Sequence, residues 1–250
     1  GPPTTGTLVI GNGRIIGLGP GTTPPPAAHR IDISGLHVYP GLIDAGTTLG
    51  LAEIKKVRET LDFSEGGGLQ PDLRAGVAIN PDSELFPVAR AGGITTALVH
   101  PDGGLVAGQA SLVQLGGWTA PEMVLDYQAA LRVHWPTISN DAQRRKRVDE
   151  FRALLKEART YRELVARAKA AKRPGPIGDP RLEALGPYVT AERPVLIEAH
   201  TRSQIVEAIL FAETEKLKLV ITGGTNAWKV AESLRKRRIP VIVGPVMRRP

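Results

Sequence analysis

The chain has 250 residues, a formal net charge of +7 and no cysteine. With 42% hydrophobic and 23% charged residues, it has the balance of a soluble globular protein, cytoplasmic or exported after processing, that can bury a sizeable core. This composition excludes disulfides, thiolate metal ligands and a cysteine nucleophile, and no apolar run reaches the roughly 18 residues that a membrane span needs.

Residues 1–36 predict a small β unit followed by a proline-rich connector. Thr7–Ile10 and Arg14–Leu18 are typical of two short strands that enclose a turn at Gly11–Gly13. The glycines do not follow the G-x-G-x-x-G spacing because Ile16 stands at the third position, so we expect no dinucleotide site. Residues 37–250 are expected to form a second, larger domain.

Beyond residue 36, apolar runs typical of buried strands alternate with helical patterns. The predicted strands are His37–Asp44, Ile94–Val99, Ser111–Leu115, Val195–Ala199, Leu217–Thr222 and Pro240–Val243. The predicted helices are Ser83–Ala91, Pro121–Leu131, a long basic helix after Asn140, Ser203–Glu215 and Asn226–Arg237. The alternation indicates a parallel sheet covered on both faces, either doubly wound or closed into a barrel. The polar, glycine-rich segment Lys55–Ala78 predicts a long loop.

Much of the positive charge lies on the long basic helix. Its apolar residues form one stripe from Val148 to Ala168, Asn140 or Asp141 can cap its start, and Pro174–Gly175 ends it. The Arg, Lys and Glu residues on its other faces are typical of a solvated helix surface. We therefore expect no nucleic-acid partner, and a basic nucleic-acid-binding protein remains the weakest alternative.

Three stretches resemble a known family. They are GLHVYPGLIDAGTTLGL, NPDSELFPVARAGGITTALVHPDGGLVAGQASLVQLGGW and PVLIEAHTRSQIVEAILFAETEKLKLVITGGTNAWKVAESLRKRRIPVIVGP. They are similar to the amidohydrolase superfamily, and more specifically to its imidazolonepropionase-related members. The resemblance implies an amidohydrolase-type (β/α)8 barrel, here C-terminally incomplete, with part of a β-sandwich subdomain at the N-terminus. It also implies hydrolysis of C–N bonds in cyclic amides with one or two divalent metals.

The metal ligands that the resemblance implies are missing from this sequence. Members of the family usually have the motif PGLIDxHxH in the first barrel strand, but this sequence has Gly46 and Thr48 at the two histidine positions. Its fifth-strand and sixth-strand histidines align with Glu198 and Gly223, a third-strand lysine aligns near Gln114, and the final aspartate has no counterpart. A catalytic zinc site typically needs three protein ligands to make water nucleophilic. No cofactor is therefore expected, and Zn, Mn or Fe would bind only in a rearranged site.

Four polar residues remain as candidates for catalysis. Asp44 ends the first predicted strand, His100 ends the second, and Glu198 and His200 share one strand face because they are two residues apart. Each also has a structural alternative: a loop-capping carboxylate for Asp44, a satisfied histidine for His100, and a hydrogen-bonded pair for the other two. His134, in RVHWP, is expected only to pack against its neighbours.

Two functions follow from this pattern. The favoured one is a pseudoenzyme of amidohydrolase lineage that serves as a binding or assembly module. The alternative is an active hydrolase of C–N bonds with a rearranged metal or acid/base site. Because a broken barrel exposes strand edges, we expect a homo-oligomer or a partner chain that completes it, and a small-molecule ligand is compatible with either function.

Overall fold

The structure, a computed structural model, describes residues 5–54 and 56–244. The chain divides into two compact units, Gly1–Pro40 and Gly41–Pro250. This division lies shortly after the domain boundary predicted between residues 36 and 37. The strand expected from His37 begins only at Leu42, because Pro40 has no N–H to donate to a ladder.

The first unit contains the predicted hairpin. Strands β1 (Thr7–Gly11) and β2 (Arg14–Gly19) pair antiparallel around Asn12 and Gly13. Both turn residues have positive φ, 50° and 70°, and an Asn-Gly pair adopts this conformation readily.

The second unit is built on a seven-stranded, barrel-like sheet. Its strands are β3 (Leu42–Thr47), β4 (Ile94–Val99), β5 (Val106–Gln114), β6 (Val124–His134), β7 (Pro194–Ala199), β8 (Lys218–Gly223) and β9 (Val241–Val243). They lie side by side in chain order. All neighbours pair in parallel except β5, which runs antiparallel to both β4 and β6.

Seven helices cover this sheet in the described residues. They are α1 (Leu85–Ala91), α2 (Ala120–Met123), α3 (Asp141–Ala170), α4 (Pro180–Ala184), α5 (Gly186–Val189), α6 (Arg202–Thr214) and α7 (Ala231–Arg237). The long basic helix is confirmed as α3, and the Asn140 side chain caps it by accepting a hydrogen bond from Gln143 N at 3.1 Å. Within the described residues, none of the helices has the length and hydropathy of a transmembrane segment.

The predicted helix Pro121–Leu131 is wrong. Only the four-residue α2 forms there, and the chain then continues as the eleven-residue strand β6. The apolar spacing of this segment fits a helix, but hydrogen bonds to β5 and β7 on both sides decide its conformation. The predicted long loop agrees better with the structure, since residues 56–78 contain two single-turn 3-10 helices and isolated β-bridges but no longer element. Lys55 lies outside the described residues.

Two hydrophobic clusters hold the second unit together. The larger packs β6, β7 and β8 against α3, α5 and α6, and the smaller packs β4 and β5 against α1 and α2. The sheet face opposite the helices carries a third, small cluster made of Ala110, Ala130 and Leu196. Polar side chains lie on the same face, nearer the carboxyl ends of the strands.

Candidate active site

Three parallel strands bring polar side chains together on one face. The register places His134 of β6 beside Glu198 of β7, and Glu198 beside Thr222 of β8. Arg132 and His200 lie two residues from His134 and Glu198, so they share the same face. These residues lie near the carboxyl ends of the strands, where (β/α) barrels hold their ligand sites.

Glu198 is the centre of this group. Its Oε2 accepts hydrogen bonds from Arg132 Nη2 and His134 Nδ1, both at 2.7 Å. Its Oε1 accepts from His200 Nε2 at 3.0 Å. The other end of the guanidinium donates from Nη1 to Thr222 Oγ1 at 2.5 Å. Both carboxylate oxygens of Glu198 are therefore engaged by protein donors.

His134 also contacts a second carboxylate. Its Nε2 lies 2.9 Å from Oδ1 of Asp102, which belongs to the loop between β4 and β5. This contact is at ion-pair distance and adds to the hydrogen bond between Nδ1 and Glu198. The imidazole thus lies between two acids.

The pKa shifts of the acidic and basic groups in this network favour their charged forms at neutral pH, except where burial opposes the charge. Hydrogen bonding from His134 lowers the pKa of both Glu198 and Asp102 to about 2. Burial lowers the pKa of His134, but the carboxylates of Asp102 and Glu198 outweigh burial, so its pKa is raised overall. Burial lowers the pKa of Arg132 as well, an effect that the Glu198 charge opposes. At neutral pH both carboxylates are ionised and the guanidinium is charged.

The backbone around His200 is fixed by the start of α6. Thr201 and Gln204 form a capping box, and Gln204 Oε1 also accepts a hydrogen bond from His200 N at 3.0 Å. On the ring, Nδ1 lies 3.1 Å from Thr225 Oγ1. The structure therefore joins His200 to Glu198, as their spacing in the sequence predicted.

Asp44 and His100 have separate, local partners. Asp44 Oδ1 accepts a hydrogen bond from Gly46 N at 3.1 Å, and His100 Nδ1 lies 3.1 Å from Pro101 O. Burial, and then the nearby Arg132 charge, lower the pKa of His100. Among the described residues, neither side chain makes a hydrogen bond to Glu198 or His200. A catalytic role for any of these four residues stays a prediction.

A cavity of about 580 Å³ opens above this network. His134, Glu198 and His200 form its polar floor, and Arg147 of α3 stands at its wall. The rest of the lining consists of glycine backbone and apolar or small side chains: Gly67, Gly68, Gly104, Leu105, Trp135, Pro136, Thr137 and Ile138. This volume accommodates a small organic molecule.

The side chains present do not fit the divalent metal that the family resemblance implies. Gly46 and Gly223 offer no ligand, and a Cβ at Gly223 would lie only 2.5 Å from His200 Cε1. Glu198 is already engaged on both oxygens. In residues 5–54 and 56–244, no group of three or more His, Asp or Glu side chains is arranged to hold a metal ion.

Four members of the network were not predicted as site residues: Arg132, His134, Thr222 and Asp102. The signal for the first two was available, since R-V-H has the same spacing of two as E-A-H. It was missed because the segment before them was interpreted as a helix. Asp102 could not have been found in this way, because its position depends on the turn between β4 and β5.

No protein-family profile and no curated protein matches the sequence. Among solved structures, the chain is similar to the crystal structure of an amidohydrolase from Thermotoga maritima MSB8, with a TM-score of 0.89 and 24% sequence identity. The match covers 96% of this chain and 65% of that chain. The predicted fold class, an amidohydrolase-type barrel together with a small β sheet, is confirmed at the level of the fold, and the chain spans 65% of the length of this structural neighbour.

Proposed function

We propose that this chain is a protein of amidohydrolase lineage that binds a small organic ligand in the cavity above Glu198 and does not use a metal-bound hydroxide. The cavity supports the binding role, because its volume and its polar floor are those of a small-molecule site. The sequence motifs around Val38–Leu51 and Pro194–Gly244 support the finer assignment to the imidazolonepropionase-related branch.

One observation carries the proposal against metal hydrolysis. Glu198 stands at the position of an expected ligand, yet its two oxygens accept hydrogen bonds from Arg132, His134 and His200. Three of the roughly four lone-pair positions of this carboxylate are taken by protein donors, so little capacity is left for a metal. The same contacts hold the floor of the cavity in one arrangement, which favours binding of a rigid ligand.

The test combines ligand binding with turnover. Purified protein is screened by ligand-observed NMR against five- and six-membered cyclic amides, and each compound that binds is incubated with Zn²⁺, Mn²⁺ or Fe²⁺. We expect binding without hydrolysis. Thr137→Trp at the exposed wall of the cavity should abolish binding, whereas Ser139→Trp, outside the lining, should not. Hydrolysis that depends on added metal would refute the proposal.

A second candidate is metal-free hydrolysis of a C–N bond. The observation in its favour is the His200–Glu198 pair, in which the ring lies 3.0 Å from the carboxylate and its side chain is 28% exposed. Such a pair can transfer a proton to or from a bound substrate. Turnover in the presence of a chelator, lost in His200→Asn and retained in His37→Asn, would favour this candidate.

A further inference from the structure

The guanidinium of Arg132 occupies an unusual place for a positive charge. Its side chain is only 8% exposed, and it connects β6, where it originates, to Glu198 on β7 and Thr222 on β8. Its Nε–H has no hydrogen-bond partner within the described residues. A buried arginine held in this way keeps its charge, because a guanidinium is effectively never deprotonated in proteins and the Glu198 carboxylate opposes the lowering of its pKa by burial.

The side chains around the Arg132 guanidinium are of the types that coordinate divalent metal ions. Glu198 and Thr222 accept hydrogen bonds from its N–H groups, and Thr222 precedes Gly223, another position at which the resemblance implies a ligand. His134 and His200 contact the same carboxylate. Carboxylate and imidazole are the ligand types that Zn²⁺ and Co²⁺ accept.

We propose that Arg132 is the resident cation of this site: it serves as the permanent positive partner of Glu198 and prevents a divalent metal from binding at the cavity floor. This inference rests on the proposed function, and it identifies Arg132 as the residue that keeps a metal out of the site. The guanidinium and a metal ion cannot both use Glu198 Oε2, and two positive charges this close in a partly buried site repel each other.

The proposal makes Arg132 a positioning residue with a specific consequence for metal affinity. Without the guanidinium, the carboxylates of Glu198 and Asp102 lose their fixed positive neighbour, and the imidazoles of His134 and His200 can turn towards the vacated space. The site would then offer oxygen and nitrogen ligands around an uncompensated negative charge. A purely structural arginine would leave metal affinity unchanged when it is replaced.

The experiment compares wild type with Arg132→Met, Arg132→Gln and Arg132→Lys after equilibrium dialysis against CoCl₂ and then ZnCl₂. The Met and Gln variants should bind about one Co²⁺ per chain, at least about 100-fold more tightly than wild type, and show the visible absorption of coordinated Co²⁺. Arg132→Lys keeps the charge and should bind none. Adding Glu198→Gln to Arg132→Met should abolish the gained binding.

The outcomes separate this proposal from the proposed function. Folded variants that bind no more Co²⁺ than wild type would overturn the role of Arg132 and leave the ligand-binding function standing. Wild type that binds Co²⁺ stoichiometrically would overturn it too, and metal-dependent hydrolysis would remove the proposed function as well. If neither Arg132→Met nor Arg132→Gln folds, the test is the NMR signals of the His134 and His200 rings in wild type, recorded with and without Zn²⁺. Unchanged signals in excess Zn²⁺ support the proposal, and shifted signals contradict it.

Discussion

Glu198 shows how much of the site could be predicted from the sequence. Its pairing with His200 follows from their spacing on a strand, and the structure joins them at 3.0 Å. Its contacts with Arg132 and His134 depend on which strand lies next to β7, and its indirect link to Asp102 depends on a turn far away in the sequence. Local patterns predict pairs within one strand, whereas contacts between strands require the sheet order.

The charge of Glu198 should make stability depend on pH in acid. Its pKa is about 2 in the folded protein against an ordinary 4.5, so its stabilising contribution is present above pH 4.5 and is lost as the pH falls towards 2. Glu198→Gln should lower the free energy of unfolding by roughly 3 kcal/mol at pH 7, because it leaves buried Arg132 without its counter-charge. Urea unfolding at pH 7, 5 and 3 should show this difference shrinking with acidity.

The control for this prediction is Glu157→Gln, which removes a carboxylate from an exposed face of α3. It should change stability little at any of the three pH values. A constant difference between Glu198→Gln and wild type from pH 7 to pH 3 would contradict the assignment of the pKa shift to the folded network.

Replacement of Gly223 should also lower the free energy of unfolding. Its φ is +80°, and a Cβ would meet the His200 ring at 2.5 Å. Gly223→Ala should therefore destabilise the protein by about 1–3 kcal/mol in thermal or urea unfolding. Gly116→Ala, where an added Cβ has no atom within 4 Å, is the matched control. Equal stability of the two variants would show that the backbone here is not restrictive.

At the scale of elements, helical periodicity predicted the long helix α3 correctly but failed for the shorter segment that forms β6. The stripe of α3 predicted a long helix, and Phe151, Leu154 and Leu155 are buried as expected. The stripe continues beyond the buried part, however, since Leu164 is half-exposed. For β6, the same kind of spacing predicted a helix wrongly, because pairing with two neighbours outweighs the local pattern.

The start of α3 allows a direct test of its capping. Asn140→Ala removes the side-chain acceptor for Gln143 N and should lower the free energy of unfolding by about 1 kcal/mol. The neighbouring Ser139→Ala, whose side chain lies outside the cap, should have little effect. Circular dichroism during urea unfolding measures both variants. Equal midpoints would mean that the cap does not contribute to stability.

For the whole molecule, strand order explains why the sheet was predicted better than its details. Strands that follow one another in the chain lie side by side, so the apolar runs predicted the sheet but left a doubly wound sheet and a barrel both open. The family resemblance favoured the barrel. The prediction of a parallel sheet is wrong for β5, because a buried strand has the same apolar composition whether its neighbours are parallel or antiparallel to it.

The outer strands predict association in solution. Leu42 and Ile43 on β3 are 61% and 67% exposed, and Val243 on β9 is 65% exposed. Apolar outer strands bind other strands, so we expect the purified protein to have at least twice the mass of one chain in light scattering. Ile43→Lys should shift it towards the monomer, and Ile177→Lys, on an exposed loop away from both strands, should not. A monomer at every concentration would contradict this prediction.

The reversed direction of β5 also determines how the acidic loop reaches the histidine. Because β5 turns back at once, the chain needs only residues 100–105 between β4 and β5, and no crossover helix intervenes. This short link delivers Asp102 to His134 at the same end of the sheet as Glu198. We expect a residue inserted into this loop to move Asp102 away from His134. The length of the loop between β4 and β5 therefore determines whether the Asp102 carboxylate adds its negative charge next to His134.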